Sequence, residues 1–265
     1  MSQAIKAIAH PTDLSAASRE AFAHALRLAL EYRCRLDLLH VMPPEHDREP
    51  PAFPRVRETL AQWGLLRPGA APADVRKTLG VEICKIEIQH RDPLQGVTGY
   101  LQSHRPSLIV MATHGGQGLK RFLSESVSQG IAQSVLVPAL FLGPDCRPFV
   151  NAKTGNLHLK NAVIPVTRDP SPDRALHLYR TLFGNFGLAE HLIHVGDSPF
   201  TLAGENVATL QGPAVDTIIT AANTYLADLL VMPTAGRQGF LDALRGSTTE
   251  QVLRRAPCAM LSLPV

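Results

Sequence analysis

Short apolar runs alternate with helical patterns along the whole chain. The first pair is Ala4–His10, a run typical of a strand, and Ala16–Tyr32, where Ala21, Ala25 and Leu28 recur at helical spacing. The alternation continues with strands predicted at 35–41, 81–89, 107–112 and 135–142, loops at 42–54 and 69–73, and helices at 56–66, 93–103 and 119–133. Strands separated by helices predict βαβ units and therefore a parallel, doubly wound sheet with right-handed crossovers.

The pattern starts again after a stretch rich in Gly, Pro and Asn. Residues 143–148 and 151–156 have the composition of a linker. Beyond it, strands are predicted at 161–166, 190–195, 206–210, 229–232 and 260–263, with helices at 173–183, 214–225 and 240–254. We therefore predict two domains, at 1–143 and 158–265, joined by a linker at 144–157.

Matching residues recur at two constant offsets. Pro11 matches Pro165 at an offset of 154 (165 − 11), as do the triplets 39–41 and 193–195. Ser126 matches Ser247 at an offset of 121 (247 − 126), as does Met111 with Met232. The difference of 33 residues (154 − 121) falls where the second copy lacks the helix predicted at 56–66. The second unit is therefore a copy of the first, trimmed by one helix.

Composition and charge argue against several classes of function. The net charge of +3 is spread along the chain and aromatic residues make up only 5%, so the basic stripe of a nucleic-acid binder is missing. No apolar run approaches the ~18 residues of a membrane span. The four cysteines have no CxxC spacing. We expect a cytoplasmic protein with reduced thiols that binds neither nucleic acid nor membrane.

The residues directly after the strands are the candidates for chemistry, because ligands of open parallel sheets bind beyond the carboxyl ends of the strands. Asp13 follows the first strand and Gly115 follows the fourth. The second copy has Gly236 at the equivalent place, and the pair Gly246-Ser247 lies ten residues further on. Glycines at such a turn let the backbone approach a ligand, and the following helix presents N–H groups that suit an anion.

Several of these segments together resemble the universal stress protein family. Leu108–Gly115 with Gly118–Arg121 is similar to that family's fourth-strand signature, and Pro11–Ser15, Leu39–Val41 and Ala256–Leu261 are similar to its first, second and fifth strands. The resemblance implies, for each copy, a five-stranded parallel sheet with helices on both faces, in the adenine nucleotide alpha hydrolase-like fold. It also implies pairing of the two domains through their last strands, with a homodimer as a further option.

The resemblance implies binding of ATP or another adenine nucleotide, as in many members. The family's pattern is Gly, two residues, Gly, nine residues, Gly, then Ser or Thr; the second copy keeps two of the three glycines and the first copy keeps one. The predicted nucleotide site therefore lies in the second copy, formed by Pro165, Thr167, Val195, Met232, Pro233, Gly236, Arg237, Gly246, Ser247 and Thr248. A less complete site in the first copy comprises Asp13, which matches the family's ribose-binding acid, with Val41, Ala112, Gly115 and Ser126.

Two other hypotheses stay open. The glycines can serve only the strand-to-helix turns, in which case the chain is a nucleotide-independent interaction protein with vestigial crevices. Histidines also end the first four strands of the first copy, at His10, His40, His90 and His114, so a zinc or other divalent-metal site is a further hypothesis. Gly-x-Ser-x-Gly and Walker-type motifs do not occur, so no catalysis is expected beyond slow ATP turnover.

Overall fold

The computed structural model describes residues 5–44, 52–113, 137–169, 171–234 and 248–264. The strands in these ranges are β1 Ala7–Pro11, β2 Arg35–Met42, β3 Glu82–Gln89, β4 Leu108–Ala112, β5 Ala139–Leu142, β6 Asn161–Pro165, β7 Ala189–Val195, β8 Val207–Leu210, β9 Leu229–Thr234 and β10 Ala259–Pro264. The helices are α1 Ala16–Tyr32, α2 Val56–Gln62, α3 Pro72–Leu79, α4 Pro93–His104, α5 Pro172–Phe183, α6 Ala214–Thr224 and α7 Thr248–Arg255.

The strands form one continuous sheet in the order β3-β2-β1-β4-β5-β10-β9-β6-β7-β8. We call β1–β5 with their helices the first half and β6–β10 with theirs the second half. All neighbours within each half are parallel. The halves meet where β10 pairs with β5 in the antiparallel sense, with Met260 opposite Phe141. The predicted α/β class with two five-stranded parallel units is confirmed, and the two units share one sheet.

The two halves repeat each other down to single hydrogen bonds. The N–H of Ser107 donates to the carbonyl of Ala7 at 2.8 Å, and the N–H of Asp228 donates to that of Asn161 at 2.9 Å. These partners lie at the same offsets as the matching residues in the sequence, 121 (228 − 107) and 154 (161 − 7). Helix α4 of the first half and its equivalent α6 are both followed by a left-handed residue, Arg105 and Leu226. Hence the offsets found in the sequence describe a true structural repeat.

Helices cover both faces of the sheet, each through an apolar side of its own. Helix α1 is capped by Ser15, whose hydroxyl accepts from the N–H of Ser18 at 3.2 Å, and it is followed by Arg33 in the left-handed conformation. It packs on one face with α2, α3 and α5, whereas α4, α6 and α7 pack on the other. On the first face the halves also touch, since the Tyr32 hydroxyl donates to the carbonyl of Leu182.

The two halves differ most between their second and third strands. In the first half this connection contains α2 and α3, whereas residues 196–206 of the second half contain no helix. The sequence pattern predicts a loop at 69–73, which includes Pro72, and does not predict helix α3. Proline fits the first turn of a helix, where its missing N–H needs no partner, and Pro72 occupies that position. The second half is therefore trimmed as expected, and by both helices.

The segment that joins the halves is packed against the first half. Phe149 and Val150 are fully buried. The N–H of Val150 donates to His24 Nε2 at 3.1 Å, and the indole N–H of Trp63 donates to the carbonyl of Ala152 at 3.0 Å. The domain boundaries at 143 and 158 stay predictions. None of the described helices combines the length and apolarity needed to cross a membrane.

Candidate functional site

The first half has a polar turn where β1 ends. Thr12 is held there because its N–H donates to the carbonyl of Leu39 at 2.8 Å and its hydroxyl oxygen accepts from Ser18 Oγ at 2.7 Å. Asp13 is exposed, and its Oδ1 accepts from the N–H of Ser15 at 3.0 Å. Leu14 adopts a left-handed conformation, with φ of 64°, a strain that these bonds hold in place. The turn thus presents an anchored carboxylate at the crevice.

The second half repeats the backbone of this turn and replaces its side chains. The N–H of Val166 donates to the carbonyl of Ile193 at 2.8 Å, as Thr12 does to Leu39. Thr167 takes the place of Asp13; it is exposed and its hydroxyl donates to the carbonyl of Asp169 at 3.2 Å. A carboxylate has two acceptor oxygens and a hydroxyl has one. The second half therefore offers a ligand one oxygen where the first half offers two.

A histidine near the end of the second strand supports the turn in both halves. Nδ1 of His40 lies 2.8 Å from the carbonyl oxygen of Thr12, and Nδ1 of His194 lies 2.9 Å from that of Val166. Because a carbonyl can only accept, Nδ1 of each ring donates to it. Each ring contacts a phenylalanine from the loop that follows, Phe53 and Phe200, with centroid distances of 6.3 and 4.9 Å.

These phenylalanines were not predicted as part of the crevice. The one signal in the sequence is an aromatic residue in the loop after the second strand of each copy. The second half has a further constraint next to its histidine, because a Cβ at Gly196 would lie 2.8 Å from His194 Nε2. Only glycine fits there without a shift of the ring. Phe200, stacked with His194, belongs to the core on the α5 face of the sheet, whereas Val195 packs against the core on the opposite face.

The fourth strand of each half ends at a buried threonine. Thr113 Oγ1 donates to the carbonyl of Leu142 at 3.3 Å, and Thr234 Oγ1 donates to that of Leu263 at 3.2 Å. These bonds hold Ala112 and Pro233, both half-buried, at the mouth of the crevice. The residues predicted to follow them lie outside the described residues: Gly115, Ser126, Gly236, Arg237, Gly246 and Ser247.

The remaining predicted residues fall into three groups by burial. Pro165 and Met232 are buried, so they shape the floor of the crevice from within the sheet. Thr248 is exposed at the first described residue of α7. Val41 and Val195 are half-buried at the ends of β2 and β7. The structure therefore places Thr167, Val195 and Pro233 at the ends of adjacent strands β6, β7 and β9.

The zinc hypothesis finds no support in the part of the chain that is described. No group of three or more His, Cys, Asp or Glu residues there could hold a metal ion. His10 is fully buried with Nδ1 2.9 Å from the carbonyl oxygen of Val110, and His40 binds Thr12 as above. Nδ1 of His90 lies within hydrogen-bond distance of the backbone of Asp92. The rings therefore satisfy separate backbone groups, and His114 lies outside the described residues.

Burial keeps His10 uncharged. Removal from water lowers its pKa from 6.5 to about 4, and the carbonyl of Val110 and the nearby Asp13 only partly offset this effect. A neutral ring inside the sheet suits a packing role. It does not by itself indicate ligand binding.

Comparison with known proteins decides the family. A model described as the universal stress protein family matches residues 4–142 and 201–264. The chain belongs to the universal stress protein family. The search of curated protein sequences found no match.

Solved structures of universal stress proteins share this fold over nearly the whole chain. A universal stress protein from Archaeoglobus fulgidus DSM 4304 is 20% identical with a TM-score of 0.62, covering 97% of this chain and 96% of that one. A putative universal stress protein from Pseudomonas aeruginosa UCBPP-PA14 is 19% identical with a TM-score of 0.63, covering 98% and 94%. The doubled arrangement of universal stress protein units is thus shared with these proteins.

Proposed function

We propose that this universal stress protein binds an adenine nucleotide in its second half and acts as a regulatory module in a stress response. The observation that carries the proposal is the set of strand ends at the switch in strand order. There β6 lies between β7 and β9, and the chain leaves β6 and β9 toward opposite edges of the half-sheet. Crevices at such points are where open α/β sheets bind their ligands.

The described residues supply the nucleoside part of this proposed site. The Thr167 hydroxyl would donate a hydrogen bond to a ribose hydroxyl or accept one from it. Val195, half-buried at the end of β7, offers an apolar contact for the base. At Gly196, which follows Val195, a larger residue would require the His194 ring to shift.

The phosphate part rests on sequence. Gly236, Gly246 and Ser247 keep the donor pattern of the family in the second half, and Arg237 adds a cation nearby. The first half has Glu125 where the family has a glycine, and a carboxylate there would repel phosphate. Because phosphates demand most of the geometry, we assign the nucleotide to the second half.

We also infer that the β5–β10 contact within the chain takes the place of a contact between two chains. Both strands are fully buried, and the antiparallel register aligns Leu140 with Leu261 at the centre of the sheet. On this view a second chain is not needed to complete the sheet. Light scattering would then report the mass of a single chain, and a dimer mass would contradict the inference.

Isothermal titration with ATP, ADP and AMP tests the nucleotide proposal, with Ser247→Ala and its counterpart Ser126→Ala as matched variants. We expect one nucleotide per chain, and binding about tenfold to hundredfold weaker in Ser247→Ala, because a lost hydrogen bond to a charged group costs about 1.5–3 kcal/mol. Ser126→Ala should bind like the unmodified protein. Absence of heat and of any thermal shift with all three nucleotides would overturn the proposal and favour a nucleotide-independent interaction protein.

A further inference from the structure

Strand β3 forms one edge of the sheet, so its outer side has no neighbouring strand in the described part of the chain. Its inner side pairs with β2 along all eight of its residues. The opposite edge of the sheet, β8, has only four residues. The outer side of a long edge strand presents backbone N–H and carbonyl groups to which another strand can bind. The first half therefore has the longer of the two edges.

Alternate residues of β3 direct their backbone groups outward. The N–H of His90, directly after β3, donates to the carbonyl of Met42 on β2 at 2.9 Å. Because inward and outward directions alternate along a paired strand, the even-numbered residues of β3 face β2. The odd-numbered residues face outward, namely Ile83, Lys85, Glu87 and Gln89. Among the described residues, no backbone hydrogen bond from outside the sheet reaches these four.

A cationic groove borders the first part of this edge. It has a volume of about 570 Å³ and lies between α2, α3 and the start of β3, and both Ile83 and Lys85 contribute to it. Its charged residues are four exposed cations and two exposed carboxylates: Arg55, Arg57, Arg76 and Lys85 against Glu58 and Glu82. The excess of two positive charges (4 − 2) favours an anionic partner.

Two of these cations are already positioned. Nη1 of Arg57 donates to the carbonyl of Ala70 at 2.8 Å. Nζ of Lys85 lies 5.9 Å from the centre of the Phe53 ring, within cation–π range. A positioned cation loses less side-chain entropy when a partner binds. The groove therefore offers fixed positive charge beside free backbone groups.

The opposite face of β3 is aliphatic. Ile86 and Ile88 are half-buried there and pack against the core under α4. Side chains of an added strand would point alternately to the two faces of the sheet. One row of side chains would then lie beside Lys85 and the groove, and the other beside Ile86 and Ile88. A segment in which acidic and aliphatic residues alternate satisfies both faces.

We propose that the first half binds an extended acidic segment of another protein, which adds as a strand to the outer edge of β3. Its backbone pairs with the outward groups of Ile83, Lys85 and Glu87, and its acidic side chains face the cationic groove. The second half has no counterpart of this groove, since residues 196–206 contain no helix. The surface is separate from the nucleotide crevice proposed for the second half, so the two proposals stand independently.

Fluorescence anisotropy with the full chain tests the proposal. The probe is a labelled seven-residue peptide of alternating Glu and Val, and the control is the same peptide with Lys in place of Glu. We expect the acidic peptide to bind about tenfold or more tightly, and its binding to weaken as salt increases. Equal binding of the Lys peptide, or no binding of the acidic peptide up to about 1 mM, would overturn the proposal. Equal binding of an oligothymidylate would also overturn it, because the groove would then bind any polyanion.

Methylation of the peptide tests strand addition. In an added strand the amides of every second residue face β3 and the others face solvent. The Glu amides are methylated in one peptide and the Val amides in another. We expect about tenfold or more weaker binding in one of the two and little change in the other. Equal binding of both would show that charge alone holds the peptide, and would refute strand addition.

Variants of the protein locate the binding. Glu87→Pro removes an outward N–H, which an edge strand tolerates, and should weaken the acidic peptide about tenfold. Its matched control Glu87→Gln removes the same charge and keeps the N–H, so it should bind at least as tightly as the unmodified protein. Lys85→Gln should weaken binding about threefold, and Lys77→Gln, exposed and outside the groove, should leave it unchanged. Binding that survives both Glu87→Pro and Lys85→Gln would place the peptide elsewhere and refute the site.

Discussion

The first and second halves of the molecule have the same backbone arrangement but bury different side chains. His10 and His24 are buried in the first half, and the positions 154 residues later (164 and 178) hold Ile164 and Leu178. Thr12 likewise becomes Val166. The backbone bonds around these positions are retained, because a buried N–H or carbonyl without a partner is costly in either half. Duplication thus left the hydrogen-bonded frame intact while the side chains diverged.

Side chains of the first half also hold the segment between the halves in place. Trp63 and His24 both bind the segment between the halves, at Ala152 and Val150. The Trp63 ring lies so close to this segment that a Cβ at Gly155 would come within 2.5 Å of it. The second half has no helix equivalent to the one that ends at Trp63. Substitutions at these contacts test how much the first half stabilises the joining segment.

Trp63→Ala should give the largest loss of stability. The ring is buried, packs on Gly155 and donates to Ala152, so its removal should lower the free energy of unfolding by about 3–5 kcal/mol. Urea denaturation measures the change. Trp63→Phe keeps an aromatic ring and loses the N–H, so it should lower the free energy of unfolding clearly less. Equal decreases in the two variants would mean that packing of the ring contributes little to stability.

Acid should destabilise the first half through its two buried histidines. Burial lowers the pKa of His10 and of His24 from 6.5 to about 4, so the unfolded chain binds more protons between these values. Stability should be intact above pH 6.5 and should fall as the pH drops, by about 1.4 kcal/mol per pH unit for each histidine. His10→Ile and His24→Leu, the residues of the second half, should each reduce this slope in denaturation series from pH 7 to 4. A slope unchanged by both would contradict the assignment.

Gly155→Ala and Gly187→Ala form a matched pair. Both glycines have positive φ, 71° and 65°, so both variants carry a backbone cost of about 1–2 kcal/mol. Only Gly155 would also drive its new methyl group into Trp63, since nothing lies within 4 Å of a Cβ at Gly187. Gly155→Ala should therefore cost about 1–3 kcal/mol more, measured by thermal unfolding. Similar costs would show that the segment can move away from the ring.

Thr167→Asp should give the smallest effect and bears on the crevices. It places in the second half the carboxylate that Asp13 provides in the first, and should tighten ATP about fivefold, because hydrogen bonds to a charged acceptor are stronger by about 1 kcal/mol. Asp13→Thr should leave ATP affinity unchanged in the same titration. Weaker binding in Asp13→Thr would move the nucleotide to the first half.

Much of the fold could be predicted from sequence because it depends on local periodicity. Helix α1 begins and ends where its pattern predicts, at Ala16 and Tyr32. Helix α3 was missed because Pro72 signals either a loop or a helix start, and the choice depends on packing of Val75 against the core. The crevice was predicted in outline, since strand ends follow from the order of elements. The histidine–phenylalanine contacts and the Trp63 contact were not, because they join residues from loops of unpredicted course.

The zinc hypothesis lacks support among the described residues for a related reason. Four histidines at strand ends look convergent in a sequence, but strand alternation and backbone carbonyls decide where each ring points. Among the three described rings, each binds a different backbone group, on Val110, Thr12 and Asp92. Spacing alone carries no information on these partners.

A crystal structure of the protein with ATP would test the divergence of the two halves most directly. We predict one nucleotide, at the carboxyl ends of β6, β7 and β9, with its ribose beside Thr167 and its base against Val195. A nucleotide bound only at the ends of β1, β2 and β4, beside Asp13, would contradict it.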